Sequence, residues 1–138
     1  MSSIVFSKAK KFSIRIVKLH KYLCSDKSEY TLSKQLLRSG TSIGANLAEA
    51  LHSISSKKFL AKIQIACKES AETVYWLELL REANILSEKE FASIYADAVE
   101  LLKMLTSITK STSRKLNSPD INLKNTATAK TPDEKLTD

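Results

Sequence analysis

The chain has 138 residues and a net charge of +7, and 43% of its residues are hydrophobic. This size and composition fit one globular domain that buries a core of its own. Cys24 and Cys67 lack the spacing of a zinc site or a disulfide framework, so both thiols are expected to be reduced and buried. No stretch contains the roughly 18 apolar residues of a membrane span, and the N-terminus lacks the charge order of a signal peptide. We therefore expect a cytoplasmic protein that does not enter a membrane.

The scarcity of turn-forming residues indicates the fold class. Only two glycines and two prolines occur, and β-branched residues do not alternate with polar ones over strand lengths. Such a sequence has little with which to build the turns of a sheet, so it predicts an all-α fold. Four amphipathic segments joined by short connections predict an antiparallel up-down-up-down four-helix bundle over residues 1–113.

The first predicted helix covers about residues 4–23, where apolar residues recur at spacings of three and four. Residues 24–28 are expected to form the turn that follows. The face opposite the apolar stripe is expected to be basic and carries a set of cations, here called the cation ladder, whose members are Lys8, Lys11, Arg15 and Lys18. Residues 1–27 contain seven Lys or Arg and one acid, whereas residues 69–100 contain two Lys or Arg and eight acids. The ladder can contact a phosphate backbone, or it can be solvated surface.

The second predicted helix begins near Tyr30 or Thr31 and carries two stripes. Its apolar stripe consists of Leu32, Leu36, Ile43, Leu47, Ala50 and Ile54. Its polar stripe consists of Gln35, Arg38, Ser42, Asn46 and Glu49. Gly40 and Gly44 lie between the stripes, although each costs about 1 kcal/mol against Ala in a helix interior. Close packing of a neighbouring helix is the favoured compensation, and a ligand site lined by Asn46 and Glu49 is the alternative.

The third predicted helix covers about residues 57–84 and also has a second stripe, which includes Glu69, Glu72 and Trp76. Trp76 is expected either to pack within the chain or to anchor an interface. Glu69 and Glu72 are three residues apart and could supply two metal ligands. Di-iron bundles, however, use a Glu-x-x-His motif, which is absent here. Ion pairing of these carboxylates with Arg38, Lys62 or Lys68 is therefore the favoured interpretation.

The fourth predicted helix has the clearest start in the chain. Ser87 and Glu90 fit a capping box, and Leu86 and Phe91 are placed to form a hydrophobic staple. Apolar residues then recur in a heptad-like pattern, and the helix is expected to end near residues 109–113. From residue 114 to residue 138 the composition shifts to small and polar residues with two prolines, which predicts a flexible, disordered polar tail.

Two segments, LLRSGTSIGANLAEA and SKKFLAKIQIACKESAETVYWLELL, resemble the bacterial 23S rRNA intervening-sequence protein family. The resemblance covers about residues 4–112 and includes Arg38, Ser42, Asn46, Glu49, Glu69, Glu72 and Trp76. It implies a four-helix bundle that assembles into a homo-oligomeric ring, a pentamer, with no established catalytic activity. Similar accessory proteins of diversity-generating retroelements bind nucleic acid and reverse transcriptase. The family often has Gly where this chain has Ala50, which predicts that the second helix continues through Leu51.

No motif in the sequence indicates catalysis. The histidines show no metal-ligand spacing, and no serine lies in a GxSxG elbow, so we expect no enzyme, no cofactor and no metal site. Two hypotheses remain. The protein is either an oligomeric, ribonucleoprotein or retroelement-type accessory factor that binds RNA or DNA through the cation ladder, or a structural protein-interaction module with no nucleic-acid role. In the second case the stripe with Arg38, Asn46 and Glu49 joins subunits or docks a protein partner.

Overall fold

The computed structural model describes residues 3–117 of the chain. These residues form four helices, α1 (Ser3–Lys27), α2 (Thr31–Leu51), α3 (Ser56–Glu82) and α4 (Glu88–Leu116). Each helix packs against two others, because α1 and α3 both contact α2 and α4. The predicted all-α four-helix fold is confirmed.

The order of side-chain contacts is consistent with the up-down-up-down arrangement. As the residue number rises along one helix, the number of its partner falls along the next. The contacts that define this order are Lys8–Glu100 and Tyr22–Glu90 for α1 and α4, Ser39–Thr73 and Glu49–Lys62 for α2 and α3, and Cys67–Thr106 and Glu78–Tyr95 for α3 and α4.

Helix α1 is longer than the sequence predicts, since residues 24–27 are helical and do not form the expected turn. Neither glycine nor proline interrupts these residues, so the helix continues until Ser28, whose φ of 53° lies in the left-handed region. The Glu29 amide donates to the carbonyl of Leu23 at 2.9 Å, so the chain folds back over the last turn of the helix.

Helix α2 begins at Thr31 and runs through Leu51. This confirms the prediction made from Ala50, which stands where the family often has Gly. The prediction that Ile54 belongs to its buried stripe is wrong, because this side chain is 71% exposed. Ile54 lies beyond the end of α2, in the short turn where Ser55 caps α3 by accepting the amide of Lys58 at 3.1 Å. The helical spacing therefore no longer applies at this residue.

The start of α4 is confirmed in detail. The Glu90 amide donates to Ser87 Oγ at 3.2 Å, and the Ser87 amide donates to Glu90 Oε1 at 2.8 Å. Leu86 is buried and Phe91 packs half-buried against the core. The helix ends at Leu116, later than the expected residues 109–113, because no proline occurs before Pro119. Of the predicted tail, residues 114–116 are thus helical, and residues 118–138 lie outside the described part of the chain.

Helices α1 and α2 approach closely where α2 carries its glycines, which confirms the packing explanation for them. A Cβ atom added to Gly40 would lie 2.8 Å from Cγ1 and 2.9 Å from Cγ2 of Ile16. The atoms nearest to a Cβ atom on Gly44 would be the Ser13 hydroxyl oxygen at 3.3 Å and the Ala9 carbonyl oxygen at 3.7 Å. There is therefore no room for a side chain at Gly40, whereas a methyl group nearly fits at Gly44.

Substituting the two glycines separately should give opposite results. Gly44→Ala gains about 1 kcal/mol of helix propensity. The Ser13 hydroxyl, which donates to the Ala9 carbonyl at 3.0 Å, needs only a small shift to admit the methyl group. Gly40→Ala gains the same propensity but overpacks the fully buried, β-branched Ile16, at a cost of about 1–3 kcal/mol. In urea unfolding followed by circular dichroism, the midpoint should rise for Gly44→Ala and fall for Gly40→Ala. Stabilisation by both substitutions would contradict the close contact at Ile16.

Candidate functional site

A cross-helix group of charged side chains, here called the Arg38 cluster, contains Arg38, Glu69, Glu72 and Trp76. Arg38 Nη1 donates to Glu69 Oε1 at 3.2 Å, and Arg38 Nη2 donates to Glu72 Oε2. The indole Nε1–H of Trp76 donates to the same Glu72 oxygen at 2.9 Å. Four of the family-like residues predicted from the sequence are therefore brought together, and they link α2 to α3 within one chain.

The hydrogen bonds of the Arg38 cluster change the pKa values of its members. The Trp76 indole lowers the pKa of Glu72 most, Arg38 and Lys68 lower it further, and burial opposes this effect. The pKa of Arg38 is raised, chiefly by its hydrogen bond to Glu72. Both groups are therefore held in their charged forms. The predicted ion pairing of the carboxylates is confirmed for Arg38.

The remaining family-like residues are also engaged within the chain. Ser42 Oγ donates to the carbonyl of Arg38 at 2.6 Å, and Asn46 Nδ2 donates to the carbonyl of Ser42 at 2.8 Å. Glu49 pairs with Lys62 of α3 at 2.6 Å. Glu49 lines an open groove of about 570 Å³ at the α2–α3 turn, and Asn46 is not among the residues that line it.

The cation ladder divides into two parts. Lys8 Nζ lies 3.1 Å from Glu100 Oε1, and Arg15 Nη1 lies 2.5 Å from Asp97 Oδ2. Arg15 Nη2 also donates to Ser93 Oγ at 3.1 Å. Lys11 and Lys18 are exposed and form no ion pair with the residues that the structure describes. Half of the predicted ladder thus faces the carboxylates of α4, and half faces solvent.

The cation ladder predicted from the sequence leaves out two further exposed cations on α1. Lys10 and Lys21 lie on its outward side, next to Ile14, which is 50% exposed, and Val17, which is 37% exposed. The signal that could have found them is the net charge of the segment, since only Asp26 is acidic in α1. The four exposed cations Lys10, Lys11, Lys18 and Lys21 are called the free lysines below.

The described residues provide no other chemistry of note. Between residues 3 and 117, no three His, Cys, Asp or Glu side chains are arranged to hold a metal ion. Cys24 and Cys67 are free thiols. Both are half-buried, whereas the sequence predicts that they are buried. Among the described helices, none is both long enough and apolar enough to cross a membrane.

Fold and site together define an all-helical bundle protein whose charged residues tie its helices to one another. The family model described as 23S rRNA-intervening sequence protein matches residues 1–107, and the chain belongs to this family. The chain is similar to a crystal structure of a protein with unknown function from the S23 ribosomal protein family of Bacteroides thetaiotaomicron. The two are 46% identical, the match covers 77% of this chain and 98% of the other, and the TM-score is 0.75. No curated protein matches the chain.

As the pH falls, Glu72 should become protonated at a pH below its usual pKa near 4.5. The fluorescence of Trp76, the sole tryptophan, should report this protonation because its indole donates to Glu72. A lowered pKa in the folded state stabilises the fold above the usual value, and this stability is lost as pH falls through the lowered pKa. Tryptophan emission should therefore change with a midpoint below about 4.5, and Glu72→Gln should remove the transition. Glu82→Gln, on the exposed part of the same helix, is the matched control. A midpoint at or above the usual value would contradict the assignment.

Proposed function

We propose that this protein is a non-enzymatic, oligomeric binding module that contacts the phosphate backbone of nucleic acid, as a ribonucleoprotein or retroelement-type accessory factor. The observation that carries this proposal is the set of free lysines on the outward side of α1. All four are exposed, and none is neutralised by a carboxylate among the described residues. Exposed cations that lack a protein partner are available to replace the counterions of a polyanion.

The spacing of the free lysines suits a phosphate backbone. Lys10 and Lys21 are eleven residues apart, which is about 17 Å along a helix that rises 1.5 Å per residue. That distance covers several phosphates, since a strand of B-DNA advances about 3.4 Å per nucleotide. Long, exposed lysine side chains can adjust to the spacing of a duplex or of a single strand.

Recognition through these lysines should depend little on sequence. Contacts to phosphate position a protein on nucleic acid without reading its bases. Aromatic stacking surface near α1 is small, because the Tyr22 hydroxyl is engaged with Glu90 and only Tyr30 is largely exposed, at 62%. The proposal therefore assigns backbone binding to the protein and no specific base readout.

A structural protein-interaction module is the second candidate function. The observation that favours it is the pairing of Lys8 with Glu100 and of Arg15 with Asp97, because these cations then join helices of the same chain. Exposed Ile14 and Val17 between the free lysines would in that case contact a protein partner. The two candidates differ in whether RNA or DNA binds at low salt.

Charge neutralisation of three of the four free lysines tests the first candidate. Lys10→Gln, Lys18→Gln and Lys21→Gln combined should strongly weaken binding to labelled RNA and DNA duplexes, measured by fluorescence anisotropy across a salt series. The wild-type slope of log K against log salt should be near −0.9 per phosphate contact on duplex DNA. The matched control combines Lys57→Gln, Lys103→Gln and Lys110→Gln, which are exposed cations of α3 and α4. Equal loss in the control, or no wild-type binding at low salt, would overturn the proposal.

Self-association is proposed through the outer face of α2 and α3, beside the Arg38 cluster. Two large apolar side chains are exposed there, Ile65 at 37% and Tyr75 at 55%, and Ala45 of α2 is exposed as well. Among residues 3–117 there is no fifth helix to cover them. A second copy of the chain would remove this apolar surface from water.

Light scattering at micromolar concentration should give a multiple of the 15.4 kDa chain mass. Ile65→Asp combined with Tyr75→Ser should lower the mass, because it places charge and polarity in the proposed interface. Ile54→Asp alters an exposed apolar residue at the α2–α3 turn and should leave the mass unchanged. A wild-type chain that has monomer mass would remove the oligomer from the proposal.

A further inference from the structure

The carboxylates of α4 form a stripe that matches the cations of α1. Glu90 contacts Tyr22 and lies 3.9 Å from Lys27 Nζ, Asp97 meets Arg15, and Glu100 meets Lys8. Asp97 and Glu100 also line, together with Lys8 and Lys11, a small cavity of about 180 Å³ between the helices. Two carboxylates of the stripe, Asp97 and Glu100, therefore pair with two members of the cation ladder, Arg15 and Lys8.

The pairs at Lys8 and Arg15 are exposed to solvent. Side-chain exposure is 43% for Lys8 and 53% for Glu100, and 40% for Arg15 and 47% for Asp97. Exposed ion pairs contribute little to stability because water and salt screen them. A carboxylate at such a position binds its cation only weakly, so another anion can replace it.

We propose that Asp97 and Glu100 act as an intramolecular substitute for phosphate, which occupies Lys8 and Arg15 and limits nucleic-acid binding to the free lysines. This inference rests on the proposed function, since it concerns the regulation of the same surface. A cation that a carboxylate already neutralises makes no phosphate contact, so it displaces none of the counterions condensed on the nucleic acid. The carboxylates thus set both the affinity of α1 for a polyanion and its dependence on salt.

Removal of the two carboxylate charges tests the inference in the full chain. Asp97→Asn combined with Glu100→Gln frees two cations, so binding should tighten. On duplex DNA the salt slope should steepen by about 1.8, which is two contacts at about 0.9 each. The control, Glu82→Gln combined with Glu88→Gln, makes the same change in net charge at the turn between α3 and α4. It also frees Arg81, which pairs with Glu88 at 2.9 Å but lies on α3, outside the cation ladder. It should leave the slope at its wild-type value.

A charge-balanced variant distinguishes masking from direct contact. Lys8→Gln, Arg15→Gln, Asp97→Asn and Glu100→Gln together remove both pairs and leave the net charge unchanged. If the pairs mask the cations, this variant should bind with wild-type affinity and slope. Loss of binding would show that Lys8 and Arg15 contact phosphate in the wild type, and would overturn the inference, as would a double variant Asp97→Asn/Glu100→Gln that behaves like its control.

Failure of the inference and failure of the proposed function give different results. A wild-type protein that binds neither RNA nor DNA at low salt removes both of them. Wild-type binding that is lost with the free lysines, but is insensitive to Asp97 and Glu100, keeps the function and removes the masking. Thermal unfolding of each variant shows whether the bundle is intact, and it should be, because the substituted side chains are exposed.

Discussion

Burial of one apolar stripe on α1 determines the surface of the molecule. Val5, Ala9, Phe12, Ile16 and Leu23 are all buried, so α1 can adopt only one rotation about its axis. At about 100° per residue, Lys8 and Arg15 then flank the buried stripe and turn toward α4. Lys11 and Lys18 lie about 60° further from the core, and Lys10 and Lys21 further still. The apolar core thus decides which cations meet carboxylates and which meet solvent.

Local features of the structure were predictable from the sequence. The capping box at Ser87 needs only residues within one turn, and the strict spacing of apolar residues identifies all four helices. It was predictable that a neighbouring helix packs closely at Gly40, because a glycine inside a helix requires a compensating contact. Its partner Ile16 lies on another helix and was not predictable, since no local pattern connects the two.

Features that depend on two helices at once could not be obtained from the sequence alone. The cations of α1 form one ladder when α1 is considered by itself, and they divide only when α4 supplies Asp97 and Glu100. The end of α1 was misplaced because Ser28 adopts the left-handed conformation, which glycine favours and serine does not. Ile54 was misplaced because periodicity does not indicate where a helix stops. For the ladder, the missing information is a contact between residues distant in sequence. For the other two features, it is the position of a helix terminus.

The family-like residues have a different physical role from the free lysines. Arg38, Glu69, Glu72 and Trp76 satisfy one another's hydrogen bonds across α2 and α3, and Ser42 and Asn46 bond to the backbone of their own helix. Side chains used in this way have few donors and acceptors left for a small ligand. Such a network orients two helices, and it thereby fixes the surface that Ile65 and Tyr75 present beside it. The residues that carry the family resemblance therefore support the architecture of the bundle, whereas the proposed contacts to nucleic acid depend on cations outside that motif.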